Sequence, residues 1–346
     1  MVGHDSSIFF LFPGQGAQFP GMGMDFFDRS LQVRELFALA SDAVGRDMEK
    51  LLRTADGETL KRTDISQPAI TLANLAASTF LRKEGLLPAA CAGFSLGEYA
   101  ALANASVISL KDCFTLVAAR GAAMQKAADR LSAESAGSVP GTASVPGTAS
   151  APGASSAPGM AAVLGLSPEQ VESLLAEWTA AGLEGLYAAN YNGPKQVVVS
   201  GTASALAEAE TRFKEAGARR VVRLAVAGPF HSPLVREAAQ EFAPILETVS
   251  FSDPKFPLFS NVTGARVSSG AEAKALALRH MTEPVRWTTE EAALGAMAPT
   301  ALLELGPGKV LQGLWKDSGS AVPCYAAGTI VDMDAALAQI LAVDKE

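Results

Sequence analysis

Short apolar runs and longer amphipathic stretches alternate along this chain, and the alternation predicts a mixed α/β fold. Ile8 to Phe12 is an uninterrupted apolar run of strand length, and Ala89 to Ala92 has the same character. Gly97 to Ala103 follows the second run closely and favours the opening turns of a helix. We therefore expect two buried strands in the first third of the chain, the second leading directly into a helix.

A different unit begins near Met160. Its pattern predicts strand, helix, two strands, helix and strand, at Ala161–Leu166, Pro168–Ala181, Leu186–Asn190, Gln196–Ser200, Ala203–Ala216 and Arg220–Val226. This β-α-β-β-α-β order is the ferredoxin-like unit. With 346 residues, 49% of them apolar, the chain is long enough for a large domain that carries a smaller one. We expect an α/β-hydrolase-like large subdomain of residues 1–131 and 228–346, with the ferredoxin-like subdomain, residues 160–227, inserted into it.

Residues 132–159 separate these units. Between Ser135 and Gly159 there is no charged or aromatic residue, and the hexapeptide Ser-Val-Pro-Gly-Thr-Ala occurs at 138–143 and again at 144–149. Such a segment buries too little apolar surface to order itself. We expect a disordered, low-complexity insert at the junction of the subdomains.

Ser95 is the first candidate for a chemical role. It lies in Gly93-Phe94-Ser95-Leu96-Gly97, where the two glycines allow a sharp turn between strand and helix that exposes the serine hydroxyl. The N-terminus of the following helix would favour negative charge developing beside Ser95. A chance occurrence of the pattern in an alanine- and glycine-rich chain is the alternative.

A serine nucleophile needs a base, and the chain has 3 histidines, His4, His231 and His280. His4 lies in a polar N-terminal lead that is expected to fray. His231 lies in a loop bounded by glycine and proline, directly after the β-branched run Val221 to Val226, which is a typical setting for a catalytic base. Its alternative role is to cap a helix that begins near Pro233.

The usual third member of a serine triad, an acidic residue between the serine and the histidine, has no clear candidate. Glu177, Glu184 and Glu208 lie in that interval, but their surroundings are typical of solvated helix faces. We therefore expect a dyad of Ser95 and His231 whose imidazole is oriented by another group, such as a backbone carbonyl.

Arg120 is the only charged residue between Cys113 and Met124. Burying an unpaired guanidinium is costly. Either a carboxylate elsewhere in the fold neutralises it, or its partner is a substrate carboxylate held by the two parallel N–H···O bonds that a guanidinium offers.

Six motifs occur in the order found in one enzyme family. From about Ile8 to Trp315 the chain resembles the malonyl-CoA:acyl carrier protein transacylases, and the motifs are Phe12-Pro13-Gly14-Gln15-Gly16-Ala17-Gln18, Gly93-Phe94-Ser95-Leu96-Gly97-Glu98-Tyr99, Arg120-Gly121 with Met124-Gln125, Gly228-Pro229-Phe230-His231-Ser232, Pro284-Val285-Arg286-Trp287 and Glu304-Leu305-Gly306-Pro307-Gly308. Each motif alone is weak, but six in order make the resemblance specific.

The resemblance implies that Ser95 accepts the acyl group and that His231 is its general base. It implies that Arg120 binds the free malonyl carboxylate and that the backbone N–H groups of Gln15 and Leu96 form an oxyanion hole, each worth about 3 kcal/mol. Malonyl-CoA would acylate the serine, and the phosphopantetheine thiol of acyl carrier protein would then take the malonyl group, supplying fatty acid synthesis. No metal or redox cofactor is expected.

Further positions bear on the substrate and the base. Phe230, an aromatic residue just before the histidine, resembles the malonyl-selective form of the wider family, with core packing as the alternative. Asn190 and Asn192 are expected near the cleft, where they either touch substrate or form a turn. His280 stands where several relatives carry a glutamine whose backbone carbonyl orients the base, and a second imidazole there could shift the pKa of His231.

The net charge is −8 and the sequence pI is about 5.1, so neither nucleic acid nor an anionic membrane is expected as a partner. Acyl carrier proteins are acidic too, and docking would require a local basic patch. Our candidates for it are Arg219, Arg220 and Arg223, followed by Lys195 and Lys309. A solvated edge of the small subdomain is the alternative.

Cys91, Cys113 and Cys324 lack metal-ligand spacing and are odd in number, which favours core positions over a disulfide framework or a zinc site. The N-terminus has no signal or membrane-span pattern, and we expect a cytoplasmic monomer.

A polyketide-pathway malonyl transacylase has the same chemistry and is an alternative function. A serine thioesterase or hydrolase, or a non-catalytic relative that binds acyl carrier protein, explains Arg120 less well.

Overall fold

The computed structural model of the protein describes residues 7–137 and 157–343. In chain order the elements are β1 (Ile8–Phe12), α1 (Met24–Arg29), α2 (Leu31–Val44), α3 (Met48–Thr54), α4 (Thr63–Lys83), β2 (Ala90–Gly93), α5 (Gly97–Asn104), α6 (Leu110–Gly137), β3 (Gly159–Leu164), α7 (Pro168–Ala180), β4 (Leu186–Gly193), β5 (Gln196–Gly201), α8 (Ala203–Glu215), β6 (Arg220–Arg223), α9 (Arg236–Glu247), β7 (Phe259–Ser260), β8 (Ala265–Arg266), α10 (Gly270–Arg279), α11 (Trp287–Gly295), β9 (Ala301–Glu304), α12 (Val310–Asp317), β10 (Cys324–Ala326) and α13 (Ile330–Val343). Short 3-10 turns occupy Thr59–Lys61 and Pro233–Val235.

The large subdomain is built on a parallel sheet with the strand order β10-β9-β1-β2. The antiparallel pair of β7 and β8 lies beside it, where a bridge between Cys91 and Leu258 joins the segment before β7 to β2. This arrangement brings the end of β7 close to the carboxyl end of β2. The expected α/β fold is confirmed.

The sequence of β1 explains its central place in the sheet. All of its residues are buried, and Ile8, Phe10 and Phe12 pack into the largest apolar cluster of the protein. Phe9 and Leu11 point to the opposite face and pack into another cluster. A parallel strand that is covered on both faces must be apolar throughout, which is why the run is uninterrupted.

The small subdomain is an antiparallel sheet with the order β4-β5-β3-β6, and α7 and α8 pack on it. It has its own apolar core, in which the rings of Trp178 and Phe213 meet with centroids 4.7 Å apart. The predicted β-α-β-β-α-β order is confirmed. The prediction was wrong in extending the last strand to Val226, because the ladder to β3 ends at Arg223 and the chain then turns back toward the large subdomain.

The predicted insert was too long at both ends. Residues 132–137 continue α6, and β3 already begins at Gly159. An ion pair one helical turn apart, Arg130 to Glu134 at 2.7 Å, supports this last part of α6. Residues 138–156 lie outside the described residues, as does His4. The other subdomain boundaries stay a prediction.

Two further predictions from the sequence concern the cysteines and membrane-spanning helices. Cys91, Cys113 and Cys324 are free and buried, as expected. Within the described ranges, no helix combines the length and the apolar character that crossing a bilayer would demand.

Gly97 is packed too closely for a larger residue. It begins α5 beside β1, and a Cβ built on it would overlap the carbonyl oxygen of Phe12. A Cβ on Gly93 would likewise overlap the backbone of Gly97. Both glycines of the Gly-x-Ser-x-Gly motif therefore permit a close backbone approach on which the turn depends.

Replacing Gly97 by alanine should destabilise the protein by about 1–3 kcal/mol, because α5 or β1 must shift to relieve the overlap. Gly313→Ala is the matched control: it lies in α12 with nothing within 4 Å of a built Cβ, and alanine should favour that helix by about 1 kcal/mol. Urea unfolding of both variants measures the difference. A Gly97→Ala protein as stable as the wild type would contradict the packing argument.

Candidate active site

Ser95 occupies the sharp bend between β2 and α5. Its φ of 49° lies in the left-handed region, which costs a residue with a Cβ about 1–2 kcal/mol. The backbone N–H of Phe94 donates to the carbonyl oxygen of Phe12 at 2.9 Å and so fixes the bend to β1. The surrounding structure therefore holds the serine in a strained, half-buried position at the carboxyl end of the sheet.

Ser95 and His231 are in direct contact, although 136 positions separate them in the chain. Ser95 Oγ lies 2.7 Å from His231 Nε2. On the other side of the ring, Nδ1 lies 3.0 Å from the backbone oxygen of His280 and 3.2 Å from that of Glu283. Since a carbonyl oxygen only accepts, Nδ1 carries the proton, and Nε2 is free to accept the proton of the serine.

The loop that carries His231 is fixed from both subdomains. His231 has a φ of 55°, so it too is in the left-handed region. Ser200 of β5 donates its hydroxyl to the carbonyl oxygen of Phe230 at 2.5 Å. Ser232, rather than His231, caps the turn at Pro233–Val235. The alternative role considered for the histidine is therefore taken by its neighbour.

His231 is buried, and its environment keeps it neutral. Burial and the positive charge of Arg120 lower the pKa of His231 to about 3, while the two backbone hydrogen bonds act in the opposite direction. The imidazole is therefore in the state that a general base requires at neutral pH.

His280 lies beside His231, with ring centroids 5.3 Å apart. Burial, then Arg120 and then His231 lower the pKa of His280 as well, so the second imidazole is also neutral. Its Nε2 lies 3.1 Å from Oδ1 of Asn261, and its backbone oxygen contacts His231. The structure thus places the His280 carbonyl where the resemblance implied a base-orienting group.

Arg120 lies on α6 with 1% of its surface exposed. Among the described residues no carboxylate forms an ion pair with it, and its Nε and Nη2 have no hydrogen-bond partner. The guanidinium lies over the ring of Tyr99, 5.5 Å from the centroid. A buried cation with unused donors is suited to an anionic ligand, and a carboxylate matches the spacing of its N–H groups.

A cavity of about 350 Å³ connects these groups and is large enough for a small-molecule ligand. The large subdomain contributes Gln15, Ser95, Arg120 and His231 to its wall. The small subdomain contributes Met160, Asn190, Asn192, Val198 and Leu224. The candidate site is therefore a cleft between the subdomains, and Phe230 also lines it.

Asn190 and Asn192 lie within β4, so the interpretation of both as turn residues was wrong. The pairing of β4 with β5 shifts register between Ala188 and Asn190 and again between Tyr191 and Gly193, and both asparagines line the cavity. They are 5% and 8% exposed, and Oδ1 of Asn192 has no partner among the described residues. This unused acceptor points to a ligand that carries a hydrogen-bond donor.

The turn after β1 brings Gln15 to the same cavity. Asn74 donates to the carbonyl oxygen of Pro13 at 3.0 Å, and Nε2 of Gln15 donates to Thr63 Oγ1 at 3.4 Å. In the described part of the chain, the backbone N–H groups of Gln15 and Leu96 have no protein acceptor, and both residues line the cavity. These two N–H groups are available for an oxyanion.

A buried polar cluster that the sequence did not predict lies beneath the serine turn. Asn261, Glu98 and Glu290 are 0%, 3% and 0% exposed. Asn261 donates its backbone N–H to Glu98 and its side-chain amide to Glu290, both at 2.8 Å. Burial raises the pKa of Glu98 to about 7 and that of Glu290 well above its ordinary value. The only local signal was a charged residue, Glu98, in the otherwise uncharged α5.

Three residues of the candidate basic patch lie on β6 or directly before it, and the chain continues from β6 into the cavity wall. Arg219 and Arg220 are exposed at the start of β6. Arg223 is half-buried at its end and donates to the carbonyl oxygen of Ala157 at 3.2 Å. The next residue, Leu224, already lines the cavity. Lys309 is exposed beside another part of the cavity wall, where it pairs with an aspartate at 3.4 Å.

Known proteins resemble this chain in sequence and in fold. The family described as "Acyl transferase domain" matches residues 9–184 and 153–339. The malonyl CoA-acyl carrier protein transacylase of Bacillus subtilis (strain 168) is 34% identical over 311 residues, which is 90% of each chain. That of Escherichia coli (strain K12) is 34% identical over 308 residues, covering 89% of this chain and 91% of its own.

Solved structures of malonyl transferases have the same fold as this chain. An acyl carrier protein S-malonyltransferase from Vibrio cholerae has a TM-score of 0.83 at 34% identity, covering 96% of this chain and 100% of its own. A malonyl-transacylase solved in complex with a type II polyketide acyl carrier protein has a TM-score of 0.83 at 33% identity, with the same coverage. The chain therefore belongs to the acyl transferase family and, within it, to the malonyl-CoA:acyl carrier protein transacylases.

The low pKa of His231 predicts how the reactivity of Ser95 depends on pH. Because the imidazole stays neutral well below pH 6, the rate constant for labelling Ser95 with phenylmethylsulfonyl fluoride should change less than about threefold between pH 8 and pH 5. A base with the ordinary histidine pKa near 6.5 would lose roughly 30-fold over that range. His231→Ala should lose labelling at every pH. An acid limb with its midpoint near 6.5 would contradict the assignment of a neutral, buried base.

Proposed function

We propose that this protein transfers the malonyl group of malonyl-CoA to the phosphopantetheine thiol of acyl carrier protein, through a malonyl ester on Ser95, for fatty acid synthesis. The observation that carries the proposal is the cavity in which the Ser95–His231 pair meets the unpaired, buried Arg120. The family membership supports the same reaction.

The first half-reaction forms the ester. Ser95 Oγ attacks the thioester carbonyl, and its proton passes to Nε2 of His231, 2.7 Å away. The backbone N–H groups of Gln15 and Leu96 stabilise the oxyanion of the tetrahedral intermediate. When the carbon–sulfur bond breaks, the CoA sulfur leaves and takes the proton from His231.

The second half-reaction reverses these roles. The carrier thiol gives its proton to His231 and attacks the ester carbonyl of malonyl-Ser95. The carbon–oxygen bond to Ser95 breaks, and the serine oxygen recovers the proton. The net result is exchange of one thioester for another, so the proposed reaction requires no metal or redox cofactor.

Arg120 selects the substrate in this scheme. Its guanidinium would bind the free carboxylate of the malonyl group, which is the partner that the described residues do not supply. The bound carboxylate would also offset the charge that lowers the pKa of His231, and so raise that pKa toward the range of an effective base. An acetyl group would leave the guanidinium unpaired in the cavity.

The remaining cavity residues limit the size of the acyl group and orient it. The 5% exposed ring of Phe230, beside His231, would exclude an additional methyl group on the malonyl carbon. The unused Oδ1 of Asn192 would accept a hydrogen bond from the pantetheine amides. Both roles are part of the proposal.

We further propose that the protein acts as a monomer in the cytoplasm. Ser95, His231 and Arg120 meet within one chain, so the proposed chemistry needs no catalytic residue from a second subunit. The free cysteines and a thiol substrate fit a reducing compartment. A polyketide carrier protein is the second candidate acceptor, because one of the similar solved structures is a transacylase bound to such a protein.

Incubation with malonyl-CoA, without carrier protein, should add one malonyl group to the intact mass, and Ser95→Ala should abolish the adduct. Arg120→Ala should lower the acylation rate roughly 10²-fold, since a charged hydrogen-bonded pair is worth about 1.5–3 kcal/mol. Arg120→Lys, which keeps the charge but not the planar fork, should recover only part of the rate. Acetyl-CoA should react poorly with the wild type.

Four outcomes separate the candidate functions. Transfer from the adduct to an added fatty-acid carrier protein supports the proposal, and faster transfer to a polyketide carrier protein favours the second candidate. Rapid release of free malonate without an adduct would indicate a hydrolase. If neither an adduct nor free malonate forms, the protein would be a non-catalytic binding protein.

Charge reversal at Arg219 and Arg220 should slow transfer to acyl carrier protein about tenfold or more at low salt, without changing acylation by malonyl-CoA. The reason is loss of attraction between the basic patch and an acidic partner. Arg46→Glu, an exposed arginine of the large subdomain, is the matched control. Single-turnover transfer rates at several salt concentrations test the patch. Equal rates for all three variants would reject it as the docking site.

A further inference from the structure

Asn261 uses all of its hydrogen-bonding groups inside the core, directly beneath the serine turn. The residue is 0% exposed. Its backbone N–H donates to Glu98 Oε2, and its carbonyl oxygen accepts from the backbone N–H of Arg286, both at 2.8 Å. These bonds fix the backbone of Asn261 between α5 and the segment that leads into α11.

The side-chain amide then makes four further contacts. Oδ1 accepts from the backbone N–H of Ser95 at 2.6 Å and from Nε2 of His280 at 3.1 Å. Nδ2 donates to the carbonyl oxygen of Gly93 and to Glu290 Oε2, both at 2.8 Å. Only one orientation of the amide satisfies these partners, since its oxygen must face two donors and its nitrogen two acceptors.

We propose that Asn261 is a positioning residue that fixes the serine turn relative to His280, the residue whose backbone oxygen orients the base. On one side it fixes the backbone on both sides of Phe94, at Gly93 and Ser95. On the other side it fixes His280, whose backbone oxygen orients the imidazole of His231. One side chain thus links both members of the dyad. The inference rests on the proposed function, because the rate that Asn261 affects is that of the proposed acylation of Ser95.

The same contact decides which N–H groups can stabilise an oxyanion. The N–H of Ser95 is occupied by Asn261 at 2.6 Å and is therefore withdrawn from the cavity. This leaves Gln15 and Leu96 as the donors at the carbonyl oxygen of a bound substrate. The contact also holds Ser95 at its φ of 49°, a conformation that needs support from its surroundings.

Asn261→Ala and Asn261→Asp test the proposal in single-turnover acylation by malonyl-CoA. The acylation rate at saturating substrate should fall roughly 10²-fold in both variants, as expected when a nucleophile is misplaced by about 1 Å. The half-saturating concentration should stay within about threefold of the wild-type value, because Arg120 and the cavity wall are untouched. The aspartate keeps an oxygen for Ser95, but it replaces the donor Nδ2 by a second oxygen that faces the acceptors Gly93 and Glu290, so both of those hydrogen bonds are lost.

Asn104→Ala and Asn104→Asp are the matched controls. Asn104 is also buried, 3% exposed, and hydrogen-bonded, but it contacts Arg82 and Ser78 rather than the dyad. The proposal is overturned if the Asn261 variants acylate within about threefold of the wild type. It is also overturned if the Asn104 variants lose as much rate, or if only the half-saturating concentration changes.

Labelling of Ser95 with phenylmethylsulfonyl fluoride separates this proposal from the proposed function, because the probe carries no malonyl group. A wild type that is labelled but not acylated by malonyl-CoA would reject the proposed function, and the labelling rates of the variants would still test Asn261. If both Asn261 variants fail to fold, hydrogen exchange of the wild type decides. The Ser95 amide should be protected like the amides of β2, and exchange at the rate of an unprotected amide would overturn the proposal.

Discussion

The site depends on the 2.7 Å contact between Ser95 Oγ and His231 Nε2, and this contact has a conformational cost. Both residues have left-handed backbone, with φ of 49° and 55°, and neither is glycine. Such strain persists only where the neighbours over-determine the conformation. The close packing of Gly97 on β1 supplies that constraint for the serine, and the backbone oxygens of His280 and Glu283 help to supply it for the imidazole.

The electrostatics of the cleft depend on one buried cation, Arg120. Arg120 is buried without an ion-pair partner among the described residues, which costs free energy in the folded protein. Burial and then this charge lower the pKa of His231 and of His280, and both rings remain neutral. The proposed substrate carboxylate would remove this cost and one of the two causes that lower the pKa of His231.

The two subdomains are joined at the segment that supports the base. The backbone N–H of Tyr191 in β4 donates to the oxygen of Val285 at 2.9 Å, and the N–H of Val285 donates to Ala189 at 2.8 Å. The neighbouring Arg286 binds Asn261, and Glu283 contacts His231. The strand that carries Asn192 is thus fixed relative to the dyad through backbone hydrogen bonds, which fits a cleft of defined width.

The sequence by itself determined the strands, the glycine-flanked turn and the β-α-β-β-α-β unit, because these depend on local apolar periodicity and backbone freedom. The scarcity of histidine and the position of His231 in a loop after a β-branched run together predicted its pairing with Ser95. Only the tertiary structure decided the end of β6, the place of Asn192 in a strand and the role of Asn261 beneath Ser95. These depend on contacts between backbone atoms or residues far apart in the chain, and such contacts leave no periodic or compositional trace.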